Sequence, residues 1–72
     1  MKKIKSLNEK ETMILDLLIM NKRNKEIAEM ANMKLKTVKY YLTRIYKKLG
    51  VDSRYSALFY CLKVKYLNQK NL

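Results

Sequence analysis

The sequence predicts an all-α fold of four helices, a helix-turn-helix architecture, and three observations carry that expectation. There is no proline and a single glycine, so the tight turns that join strands lack their usual residues. Apolar residues recur at spacings of three and four, the period of helices that bury one face. Nearly half of the 72 residues are hydrophobic, which suffices for one small core but not for an enzyme-sized cleft. The reading is one domain over residues 1–72, with helices at about 8–20, 25–31, 35–49 and 54–66.

The first helix carries Leu7, Ile14, Leu15 and Leu18 on one stripe, and Glu11 lies on the same stripe. A carboxylate amid apolar groups is costly unless it finds a partner. Glu11 is therefore expected to pair with a basic group or free backbone amides, with Arg54 the first candidate. The alternative is that the stripe frays there and Glu11 reaches water. Asn21 to Arg23 form the connection, and Asn24 is the best available N-cap for the second helix, because its amide oxygen can accept from an unpaired N–H. That helix ends near Ala31.

The third helix begins around Leu35, with Lys34 at the expected cap position. Lysine offers no acceptor and sets a positive charge at the positive end of the helix dipole, so about 1 kcal/mol of helix stability is forgone. Contact with a phosphate would compensate. Drift in a chain rich in Lys, Asn, Ile and Tyr explains it equally well. Gly50 follows Leu49 and suits the left-handed residue that ends this helix. Asp52 or Ser53 can cap the fourth.

Ala28, Asn32 and Val38 have the spacing that a helix-turn-helix requires. Ala28 is small enough for close approach, Asn32 tolerates a left-handed backbone, and Val38 fills the space between the helices. Ile27, Met33 and Leu35 supply further apolar contacts. An ordinary helical hairpin satisfies the same three positions, and charge separates the two readings. On a wheel of about 100° per residue, Val38, Tyr41, Leu42, Ile45 and Leu49 face inward. Lys36, Lys39, Tyr40, Thr43 and Lys47 face outward with no acid among them, whereas a merely solvated face mixes signs.

The fourth helix carries two apolar stripes. Ala57, Cys61 and Val64 form one; Tyr55, Phe59, Leu62 and Tyr66 form the other, at i, i+4, i+7 and i+11. A small domain covers only one of them. The second is a candidate dimer surface, self-complementary about a two-fold axis, or else an exposed tyrosine-rich face or one covered by a further domain. Cys61 belongs to the inner stripe and reads as a small core residue.

The formal net charge is +11, from 17 Lys and Arg against 6 Asp and Glu, so a polyanionic partner is expected. Between Lys34 and Arg54 seven basic residues face Asp52 alone, and that stretch holds more than half of the excess. No secretory or membrane segment is evident, because Asn8 to Glu11 and then Asp16 interrupt the apolar runs. A cytoplasmic location is expected, and one cysteine suits a reducing compartment. With no histidine, no paired carboxylates, no metal-ligand cluster and no phosphate loop, neither an enzyme nor a cofactor is expected.

These residues resemble the LuxR/GerE helix-turn-helix family, also called the FixJ/NarL type. The resemblance runs from Leu7 to about Leu67. It rests on Leu7 with Glu11 and Leu15; the run Asn24 to Ala28; Thr37, Val38 and Lys39; and Lys48 to Val51 with Ser53, Arg54 and Ala57. It implies a third helix in the major groove of double-stranded DNA, with Lys39, Tyr40, Thr43 and Lys36 at base edges. Lys25 and Thr37, with Asn24, Lys34, Lys47 and Lys48, would hold phosphates. The fourth helix would form a homodimer through Tyr55, Phe59, Leu62 and Tyr66. The chain departs from the family pattern at Asn21, where glycine is usual, at Arg23 and Lys34, where hydroxyl residues are usual, and at Tyr41, where histidine is usual.

The resulting expectation is a transcription regulator whose two recognition helices enter successive major grooves about one helical turn apart, with RNA polymerase a further partner. Many relatives attach this domain to a receiver, as in response regulators, or to a ligand-binding domain. With Met1 just before the first helix, the chain reads as a stand-alone regulator or an excised C-terminal piece. Two alternatives stay open: a promoter-binding domain like region 4 of a sigma factor, and a basic helical module that binds RNA or an acidic protein.

Overall fold

The computed structural model describes residues 7–70, with side chains as far as Val64. Four helices follow one another: α1 (Glu9–Ile19), α2 (Asn24–Met30), α3 (Leu35–Leu49) and α4 (Arg54–Lys70). Among the described residues there is no strand. The fourth helix runs past the expected end near Tyr66; the other boundaries fall within about two residues of expectation.

The starts of the helices differ in quality. Asn8 caps α1 by accepting the Glu11 N–H at 2.8 Å, and Glu11 reaches back to accept the Asn8 N–H at 3.0 Å. This reciprocal capping box satisfies two of the amides that a helix start leaves free. At α2 the cap is Arg23, not Asn24. The Glu26 carboxylate accepts the Arg23 N–H at 2.8 Å, and the Asn24 amide oxygen is drawn away to accept from Arg54 Nη1 at 3.1 Å. Lys34 is the cap residue of α3 and gives no side-chain bond, as the sequence predicts. Ser53 caps α4 by accepting the Ser56 N–H at 3.1 Å.

The first three helices end in the same way. Asn21, Asn32 and Gly50 adopt left-handed φ values of 63°, 54° and 74°. The amide one residue further on then donates back across the turn: Lys22 to Leu17, Met33 to Ala28 and Val51 to Tyr46, at 3.1, 2.8 and 2.9 Å. Each is a Schellman closure, which reverses the chain and satisfies carbonyls the helix leaves open. Asparagine tolerates this conformation better than other residues with a side chain, which is why Asn21 can stand where glycine is usual.

The core lies where α1, α2 and α4 meet the inner side of α3. Leu7, Ile14, Leu15 and Leu18 pack with Ile27 and Ala28, with Val38, Leu42, Ile45 and Leu49, and with Ala57 and Cys61. Met33, Tyr41 and Val51 pack partly buried against its rim. Leu35, expected among the contacts of the helix pair, is instead 40% exposed; it is the first residue of α3 and lies ahead of the turn that faces α2. Since α3 contacts all three other helices, its inner stripe is fixed by packing. Its opposite side is left to solvent.

Candidate nucleic-acid interface

The outer side of α3 is a cationic ridge. Lys36, Lys39, Tyr40, Thr43 and Lys47 are all exposed, while Val38, Leu42 and Ile45, on the same helix, are almost completely enclosed. The 3.6-residue period separates the two sets, and α2 packs against α3, with Ala28 and Val38 both in the shared core. A helix raised in this way on a shorter neighbour has the shape that enters a major groove. Thr43 donates its hydroxyl proton to the Lys39 carbonyl at 3.0 Å, so its oxygen lone pairs face outward. Tyr40 is 59% exposed.

One flank of the ridge is anchored to the interior. Glu11 has no solvent exposure, and Lys48 Nζ donates to its Oε1 at 2.7 Å while Arg44 Nε donates to Oε2 at 3.2 Å. Hydrogen bonding from Lys48 outweighs the cost of burial and, with the Asn8 amide and Arg44, holds the Glu11 carboxyl down to about 2. The partner of Glu11 is therefore not Arg54. Arg44 and Lys48 lie one turn apart on α3, directly facing α1, whereas Arg54 turns to the α1–α2 connection, where its guanidinium donates to the Lys22 carbonyl and to Asn24. Lys48, expected among the phosphate contacts, has its ammonium on Glu11.

The family model for bacterial regulatory proteins of the luxR family, GerE, matches residues 5–61. The chain belongs to the LuxR family. Comparison with curated proteins and with solved structures gave no match. Members of the LuxR family are DNA-binding transcription regulators, which is the coarse function carried by the match.

In this LuxR-family domain the remaining expected positions are distributed as follows. Lys25 and Lys34 are exposed at the starts of α2 and α3, and Thr37 and Asn24 are half-buried beside them. Tyr55, Phe59 and Leu62 are 81, 69 and 58% exposed on the outer side of α4; the Tyr66 side chain lies outside the described residues. Cys61 is buried, and burial, then the nearby Asp16 charge, pushes its thiol up, away from the reactive thiolate. Sequence reasoning missed Arg44. The available signal was the spacing of Tyr40, Arg44 and Lys48, at i, i+4 and i+8, which puts two cations and a phenol on one flank. No helix among the described residues is long and apolar enough to cross a membrane.

Proposed function

We propose that the chain reads specific sequences in double-stranded DNA by laying the outer side of α3 in the major groove, as a homodimer joined through α4, and that it regulates transcription from such sites. The observation that carries this reading is the acid-free exposed ridge of Lys36, Lys39, Tyr40, Thr43 and Lys47, set on a helix whose inner face is locked into the core. Lys39 and Lys36 can donate to guanine O6 and N7, and Tyr40 and Thr43 stand within the same two turns to meet neighbouring base edges.

Lys25, Lys34 and Thr37 flank the ridge, and Lys47 stands at its far end, on the sides where phosphates of a bound duplex would run. The first amides of α3, which no side chain caps, are free to donate to one phosphate. The exposed Tyr55, Phe59 and Leu62 face supports pairing about a two-fold axis, which would set the two ridges about 34 Å apart along the duplex. Bound beside a promoter, such a dimer would also lie within reach of RNA polymerase.

The test is selection of bound sequences from a random duplex pool, followed by affinity measurements over a range of salt. The expected outcome is a repeated half-site with a spacing of about one helical turn and a steep fall of affinity with salt as phosphate counterions are released. Equal binding of duplex DNA, RNA and heparin would refute the reading. A footprint that forms only with polymerase present would mark a promoter-binding domain of the sigma region-4 kind.

A further inference from the structure

Resting on the DNA-binding reading above, we infer that Arg44 is a positioning residue that sets the hydrogen-bond polarity of the recognition surface: anchored on the buried Glu11 carboxylate, it holds Tyr40 as an outward hydrogen-bond donor, beside Thr43 as an outward acceptor.

The geometry runs from the interior to the surface in two steps. Arg44 Nε donates to Glu11 Oε2 at 3.2 Å, and Glu11 is itself fully enclosed and further fixed by Lys48 and the Asn8 amide. With one edge of the guanidinium pinned, Nη1 at the other edge donates to the Tyr40 hydroxyl oxygen at 3.3 Å. The guanidinium carbon lies 5.8 Å from the centroid of the Tyr40 ring, within the range of a cation–π contact. The Tyr41 ring lies edge-on to Tyr40 at 5.8 Å and 70°. Three contacts therefore restrict an aromatic side chain that is otherwise mostly exposed.

Arginine has donors and no acceptor, whereas a phenol is both. At Tyr40 the oxygen is therefore the accepting partner, and the phenolic hydrogen remains for an acceptor outside the protein. Thr43 has the opposite assignment, because its proton goes to the Lys39 carbonyl and only its lone pairs face outward. Tyr40 and Thr43 are three residues apart and share a face, so together they present a donor and then an acceptor to adjacent base pairs. Tyr40 matches a base edge that accepts, such as guanine O6 or N7 or thymine O4. Thr43 matches an exocyclic amino group, adenine N6 or cytosine N4.

The experiment repeats the random-pool selection with Tyr40→Phe, Arg44→Gln and the double variant, each checked by circular dichroism melting, and measures affinity for the selected site and for an unrelated duplex. Tyr40→Phe removes one hydroxyl from an exposed ring and leaves the core intact, so it stays informative if Arg44→Gln loosens the α1–α3 contact. The expected result is that both single variants lose preference at the same base pair. Tyr40→Phe would weaken the selected site about three- to tenfold with no change on the unrelated duplex, and adding Arg44→Gln to Tyr40→Phe would not degrade that base pair further. Loss of preference at different base pairs, or independent effects in the double variant, would overturn the positioning role while leaving DNA reading intact. A wild-type chain that selects no sequence would overturn both.

Discussion

Glu11 is the residue on which the placement of α3 turns. It closes the capping box of α1 and receives Lys48 and Arg44 from α3, so one carboxylate joins the start of the first helix to the middle and end of the third. Its carboxyl lies at about 2 against an ordinary value of 4.5. A carboxyl depressed on folding contributes stability above its unfolded value and loses it as the pH falls toward its folded value. Glu11→Gln should cost about 2 kcal/mol at neutral pH, the worth of hydrogen bonds to a charged group. That difference from wild type should narrow between pH 5 and about 2, which urea unfolding at several pH values will measure; a gap that stays constant with pH would show that the charge of Glu11 contributes nothing. The need for a partner was legible in the sequence, because a carboxylate interrupts an apolar stripe. The identity of the partner was not. Arg54 and Arg44 are equally basic on paper, and only the angle at which α1 crosses α3 decides between them.

At the scale of the element, α3 is held by its apolar side and by its C-terminal turn, while its start is left weak. Lys34 at the cap supplies no acceptor; a serine there would accept one of the free amides and remove a charge from the positive end of the dipole. Lys34→Ser should raise unfolding stability by about 1 kcal/mol, measured by denaturant unfolding. If Lys34 compensates by holding a phosphate, the same substitution lowers affinity for all duplexes alike and shallows the salt slope by about one ion; unchanged binding would leave drift as the explanation. The inner and outer faces of α3 were legible because periodicity alone separates Val38, Leu42, Ile45 and Leu49 from Lys36, Lys39, Tyr40 and Thr43. The helix ends were legible where a residue has one strong use, as Gly50 and Asn32 do. Asn24 was misread because Asn has two good uses there, and the competing one depends on Arg54, thirty residues away. The left-handed turn at Asn21 was not legible in the sequence, because asparagine tolerates that conformation without requiring it.

At the scale of the molecule, two surfaces stand apart: a cationic ridge on α3 and an aromatic face on α4 led by Tyr55 and Phe59. The inner side of α3 and the Ala57–Cys61 stripe of α4 share one core, so both helices turn their second faces to solvent from a common base. The two-stripe pattern of α4 was readable from spacing, since a chain of this length covers one stripe and not both. Which partner meets each exposed face lies beyond the reach of periodicity, because burial patterns record the inside of a fold and leave the chemistry of its surroundings open. The proposed entry of the α3 ridge into the major groove fixes which protein protons meet which base protons. Its most direct test is nuclear Overhauser contact between the labelled protein and a selected duplex. Lys39, Tyr40 and Thr43 protons are expected to contact cytosine H5 or thymine methyl groups, which line the major groove. Contacts confined to adenine H2 in the minor groove, or made by α4 in place of α3, would contradict the account.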